Sequence, residues 1–159
     1  MRIQAREVIQ KLSLQPHPEG GWYREIYRSP MRVGGPKGSR AALTTIYYLL
    51  QKQEVSRWHV VDADEIWHFY HGAPLQLIAY DAASQSLTEH TLDDPAVGSE
   101  PAAVIGAGVW QAARSLGDYS LVGCSVAPGF EFTDFRFVSS LPDHERHFAH
   151  DLKGWESLL

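Results

Sequence analysis

Arg57, His59 and Glu65 lie close together in the segment SRWHVVDADE (56–65). One residue separates Arg57 from His59, so on a β-strand both point to the same face. Glu65 follows across the polar turn Asp62-Ala63-Asp64, and an antiparallel hairpin there brings it near His59. A histidine beside a carboxylate is either a metal-binding pair or an acid/base with its orienting partner. An arginine on the same face can hold an anion or a developing oxyanion. A plainer arrangement uses the same residues: His59 half-buried and hydrogen-bonded, with Glu65 paired to Arg57.

Three further stretches carry polar or aromatic chemistry. From Glu65 the alternation places Glu65, Trp67, Phe69 and His71 on one strand face, with Ile66, His68 and Tyr70 on the other. A carboxylate between rings indicates a pocket more than a dry core, because an isolated buried carboxylate is costly. The segment HPEGGWYRE (17–25) concentrates His17, Glu19, Trp22, Tyr23 and Arg24. There an arginine fork and a tyrosine can clamp an anionic or planar ligand, or a turn can carry a cross-strand aromatic pair. The segment GAGVWQ (106–111) leads through a glycine turn to Trp110 and Gln111. It is too short, and wrongly placed, for a phosphate loop opening a helix. Cys124 reads as a small buried hydrophobe. His144, His147 and His150 recur every third residue of the tail, where exposed histidines or a metal site both fit.

These residues need elements to position them. Ala5, Val8, Ile9 and Leu12 give one apolar face to a helix over 1–15, ended by Pro16 and Pro18. Past Gly20-Gly21 the period becomes that of strands, expected at 22–28, 42–50, 56–61, 65–71, 75–80, 87–92, 103–105, 109–114, 120–126 and 130–138. A flexible loop is expected at 34–38, and a tail over 141–159 with a short helix. Short strands spaced by Gly and Pro turns, without alternating helices, predict an all-β sandwich or barrel over 20–140, in a single domain of 159 residues.

Composition excludes several classes. Hydrophobic residues are 44% and charged residues 21%, as in globular chains. Fourteen Lys and Arg against nineteen Asp and Glu give a net charge of −5, which disfavours a nucleic-acid backbone as partner. No apolar run approaches the about 20 residues of a membrane helix. With one cysteine and no secretory apolar region at the start, a reducing cytoplasm is the default expectation. Aromatic residues make up 11%, beside eight His, more polar-tipped rings than a small core requires.

The segments HPEGGWYREIYRS (17–29), SRWHVVDADEIWHFYHGAPL (56–75), GAGVWQAA (106–113) and APGFEFTDFRF (127–137) resemble the signature segments of an uncharacterised cupin family. The resemblance covers nearly the whole chain in order. It implies a jelly-roll β-barrel of two antiparallel sheets, with an N-terminal helix and a short C-terminal segment, and a homodimer. Metal-binding cupins carry two histidines, a glutamate and a glycine in a first motif and a third histidine in a second. Here Glu65 and Gly72 keep the spacing, His59 matches the second histidine, Arg57 replaces the first, and Gln111 stands where the third would be. Arginine is no metal ligand and glutamine a poor one, so no cofactor is expected to be required. A divalent metal on His59, Glu65 and Gln111, completed by water, is the weak alternative. The chain is also similar to the metal-free dTDP-sugar epimerases, in which a histidine on the corresponding strand is the base and a barrel tyrosine the acid.

Together these readings imply a small-molecule cupin, an epimerase or isomerase of a sugar, sugar nucleotide or related polyol. His59 is the expected base, Arg57 the anion holder and Glu65 the orienting group. His17, Glu19, Trp22, Tyr23, Arg24, Tyr47, Trp67, Phe69, Trp110 and Gln111 are the expected ligand contacts, with Tyr23, Tyr47 or Tyr70 as acid. A non-catalytic nucleotide- or sugar-binding module and a metal-dependent cupin enzyme are the alternatives.

Overall fold

A computed structural model describes residues 4–35 and 37–159. In chain order its elements are helix α1 (Ala5–Lys11) and strands β1 (Gln15–Pro16), β2 (Trp22–Arg28), β3 (Arg32–Gly35), β4 (Gly38–Ala41), β5 (Thr44–Gln51), β6 (Val55–Val61), β7 (Asp64–Gly72), β8 (Leu75–Asp81), β9 (Ser86–Leu92), β10 (Ala102–Ile105), β11 (Trp110–Ser115), β12 (Tyr119–Ala127) and β13 (Phe135–Phe137). Every ladder between these strands is antiparallel. One sheet has the order β1-β2-β5-β12-β7-β10 and the other β13-β6-β11-β8-β9, while β3 and β4 form a separate hairpin. This is the expected all-β jelly roll.

Three of the four apolar clusters position the sheets, the helix and the tail. Tyr48, Leu50, Trp67 and Val122 of the first sheet meet Leu75, Leu77, Ala79 and Ala113 of the second, filling the space between the sheets. Val8 of α1, with Ala5, Ile9 and Leu12, packs against Leu49, Tyr119 and Leu121 on the outer face of the first sheet. This is the apolar face that the helix periodicity predicts. The tail covers the outer face of the second sheet: Leu141, Phe148, Leu152 and Leu158 lie against Trp58, Val60, Ile78, Tyr80 and Trp110. On the remaining outer face of the first sheet, Tyr27, Ile66, Tyr70 and Val104 are exposed.

Local structure departs from the sequence reading in three places. The helix spans only Ala5–Lys11, because Ser13 turns to a φ of 54° and the chain enters β1 by residue 15; positions 1–3 of the expected helix lie outside the described residues. The expected loop at 34–38 is largely the β3–β4 hairpin, Pro36 lying outside the described residues. The expected strand 130–138 is a strap with a 3₁₀ turn at Phe132–Asp134 and strand only at Phe135–Phe137. The short helix of the tail is of the 3₁₀ type, over His147–Leu152, with further 3₁₀ turns on either side.

Candidate active site

The loop from His17 to Gly21 closes on itself, with Gly20 N–H donating to the His17 carbonyl and His17 N–H to the Gly21 carbonyl. Gly20 has a φ of 113°, and a Cβ there would collide with the Val55 carbonyl. Only glycine permits both the left-handed backbone and this approach to β6. The Tyr48 hydroxyl donates to the Gly20 carbonyl at 2.7 Å from inside the barrel. The loop is thereby pressed against the sandwich, and Glu19 is delivered to its interior at 6% exposure.

A bulge in β6 prepares the other half of the site. Gln111 of β11 pairs with His59, but Ala113 pairs with Ser56, so Arg57 and Trp58 together face Ala112. The extra residue resets the alternation. Ser56 and His59, three positions apart, therefore both reach Glu19. The Ser56 hydroxyl donates to Glu19 Oε1 at 2.9 Å, and His59 Nε2 lies 3.3 Å from Glu19 Oε2. His59 Nδ1 is 2.7 Å from the Arg57 carbonyl. A carbonyl only accepts, so Nδ1 carries a hydrogen. Phe135 stacks on the His59 ring with centroids 4.9 Å apart.

Glu65 enters from β7 of the opposite sheet. Its Oε2 accepts from Gln111 Nε2 at 2.6 Å, and Gln111 Oε1 accepts from the Trp67 indole at 2.8 Å. The indole fixes which end of the amide faces Glu65. Burial raises the Glu65 carboxyl to about 7, opposed by His59 and reinforced by Glu19. Burial also pushes the Cys124 thiol well up, with the Glu65 and Glu19 charges adding to it. That thiol is no nucleophile at neutral pH. Burial lowers His17, whose Nδ1 accepts the Glu19 N–H at 3.1 Å; its ring meets Tyr23 edge-on at 4.5 Å. His17 is a neutral wall of the site.

Glu19, His59 and Glu65 line one cavity of about 230 Å³, together with His17 and Tyr23. Tyr23 is half-buried, and its hydroxyl has no hydrogen-bond partner among the described residues. Phe130, Phe132 and Phe135 of the strap form the aromatic side.

The expected site is thus partly assembled and partly redistributed. His17, Glu19, Tyr23, His59 and Glu65 converge, and Gln111 stands behind Glu65. Arg57 does not join them: it is exposed, donates from Nη2 to the Pro18 carbonyl at 3.0 Å and covers the Phe137 ring at 4.8 Å. The expected shared face of Arg57 and His59 is broken by the bulge, and Arg57 instead pins the loop that carries Glu19. Glu65 does not orient His59; Glu19 does. Trp67 and Phe69 belong to the core between the sheets, and Trp110 belongs to the cluster under the tail. Trp22 donates to Glu54 at 3.0 Å and packs near α1 with Tyr47. Arg24 borders the cavity, but its guanidinium lies over Tyr47, 5.6 Å from the ring centroid. Tyr70 faces outward against Tyr47 and is half exposed. His71 leaves the Trp67 face because the β7–β12 register shifts between Leu121 and Val122, and it stacks on Tyr119. Ser56, Arg28 and the strap phenylalanines are contacts that the sequence reading does not anticipate. The alternate phenylalanines of GFEFTDFRF (129–137) are the available signal for the strap.

Similarity to known proteins agrees with this architecture. Residues 6–138 match the family described as Cupin superfamily (DUF985), and the chain belongs to that family. A protein solved from Shewanella oneidensis is 34% identical, with 93% of this chain and 96% of that one covered and a TM-score of 0.77. A hypothetical protein from Leishmania major is 29% identical over 92% and 96% of the two chains, with a TM-score of 0.78. Oxalate decarboxylase from Bacillus subtilis shares the fold at 10% identity and a TM-score of 0.59, covering 82% of this chain and 32% of its own. No curated protein matches in sequence.

Many cupins hold a metal between the sheets, and the residues present here do not fit one. Gln111 turns its N–H to Glu65 and commits its oxygen to Trp67. His59 presents Nε2 to Glu19, and Arg57 lies outside. Among the described residues no three of His, Cys, Asp or Glu gather as a ligand set.

Proposed function

We propose that the protein is a metal-independent isomerase or epimerase that moves a proton on a small sugar- or polyol-derived substrate. The carrying observation is a pair of proton-transfer groups in one cavity, contributed by opposite sheets: the Glu19–His59 dyad and Glu65. A carboxyl poised near 7 is suited to acid/base work at neutral pH. In the forward step a C–H bond beside a carbonyl breaks. Its proton passes to the dyad, and its electron pair moves into the carbonyl oxygen. Tyr23 donates its free hydroxyl to that oxygen, taking the part expected of Arg57. Protonated Glu65 then returns a proton to carbon from the other side. No step requires a metal.

The test is solvent exchange. A panel of reducing sugars and polyol ketones is incubated in deuterium oxide and followed by NMR for deuterium at the carbon beside the carbonyl. Wild-type protein is expected to give wash-in, and Glu65→Gln and Glu19→Gln to lower it by about 10²–10⁴-fold. Unchanged wash-in in both variants overturns the assignment. A second reading, a binding module without chemistry, is favoured by the engagement of both His59 ring nitrogens with protein atoms. Saturable binding with no exchange identifies that module.

A further inference from the structure

The charges around the cavity narrow the substrate class, given the isomerase reading above. Two arginines border it, and Arg28 is the one held by carboxylates. Arg24 is held over Tyr47. Arg28, at the mouth, donates from Nε and Nη2 to Glu25 at 2.9 Å each, from Nη1 to Glu131 at 3.1 Å, and from Nη2 to the Phe130 carbonyl at 3.0 Å. Two carboxylates share this one cation, so the cluster of Arg28, Glu25 and Glu131 carries one net negative charge. Deeper in stand Glu19 and Glu65. A phosphate entering here would first meet the Glu25 and Glu131 carboxylates, and Arg24 is the one lining arginine that no described carboxylate holds.

The rings point the same way. Phe130 lies edge-on to Phe132 at 5.0 Å and to Phe135 at 6.0 Å, and Phe132 is half exposed at the mouth beside Glu131. Aromatic faces attract a cation within about 6 Å. The volume of about 230 Å³ is below the roughly 300–1,000 Å³ of sites for drug-sized ligands, which suits one sugar ring and not a sugar nucleotide.

We propose that the cavity takes a small unphosphorylated amine, an amino sugar or amino polyol, with its ammonium at the mouth between Glu25, Glu131 and the Phe132 ring. The rest of the ring then extends inward toward the dyad and Glu65. The specificity lies in the strap and β2, apart from the proton-transfer groups.

Calorimetric titration with glucosamine, glucose and glucose 6-phosphate tests the charge preference without any need for turnover. Glucosamine is expected to bind at least tenfold more tightly than glucose, and glucose 6-phosphate more weakly than either. Glu131→Gln and Glu25→Gln, each checked for an unchanged melting temperature, are expected to shrink the preference for the amine. Glucose 6-phosphate binding as tightly as glucosamine overturns the proposal, as does glucosamine binding no tighter than glucose or no saturable binding by any of the three. Amine-selective binding without deuterium wash-in leaves it standing and removes the isomerase reading alone.

Discussion

Glu65 is a carboxyl whose folded environment favours the proton. Burial raises it from the ordinary 4.5 to about 7, so the native state binds a proton that the unfolded chain releases above the lower value. Its contribution to stability is complete below about 4.5 and is lost as pH rises through about 7. The groups facing it are His59 from β6, Glu19 from the loop, and Cys124 and Gln111 from β12 and β11. Thermal melts from pH 5 to pH 8 are therefore expected to show a decline on the order of 2–3 kcal/mol attributable to this group. Glu65→Gln should flatten that decline while keeping the hydrogen-bonding shape. A wild-type slope that persists in the variant would assign the titration to another residue. The sequence displays both Glu65 and Glu19, but not their partners. Glu19 lies far from His59 along the chain, and only the folded loop joins them.

Elements decide which of these side chains look inward. Strict alternation assigns Arg57 to the site and leaves Ser56 out; the bulge opposite Ala112 reverses both. Alternation also does not separate the faces of β11, for a physical reason. Trp67 faces the inter-sheet core and Trp110 the tail, and both are buried, at 1% and 7% exposure. When tail or helix covers the outer face of a strand, aromatic residues occupy both sides and period two no longer distinguishes inside from outside. The His-Pro-Glu-Gly-Gly stretch is visible in the sequence as an unexplained cluster, and its glycines explain it: they let Glu19 enter. Gly20→Ala, at a φ of 113° against the Val55 carbonyl, is expected to cost about 1–3 kcal/mol and to weaken ligand binding by displacing Glu19. Arg57→Ala, which loses an exposed hydrogen bond to the same loop, should cost less than about 1 kcal/mol. Urea melts of the two variants compare the loop's backbone requirement with its side-chain pin. Equal costs would show that the glycine geometry is not what seats the loop.

At the scale of the whole molecule, the jelly roll is legible because many short strands punctuated by Gly and Pro admit few other architectures. The closing of its second sheet is not, because a short helix in a tail from 141 onward does not reveal which face it covers, and the tail lies beyond the matched residues 6–138. Its 3₁₀ turns nevertheless place Leu152 and Leu158 at 0% exposure against Trp58 and Ile78, and the Tyr80 hydroxyl donates to Asp151 at 2.5 Å. The Arg114 guanidinium covers Trp155 at 5.2 Å. β11, which carries Gln111 inward, carries Trp110 outward to this cluster, so the tail supports the strand whose Gln111 hydrogen-bonds Glu65. Leu152→Ala is expected to destabilise the protein by about 2–5 kcal/mol, as for a large-to-small change in a packed core. Removal of residues 141–159 would uncover Trp58, Tyr80 and Trp110 together and should yield aggregated protein or a loss of cooperative unfolding. Denaturant melts and light scattering read both. A truncated chain that keeps the oligomeric state of the full chain with an unchanged midpoint would show that the second sheet needs no cover, and would detach the tail from the support of the site.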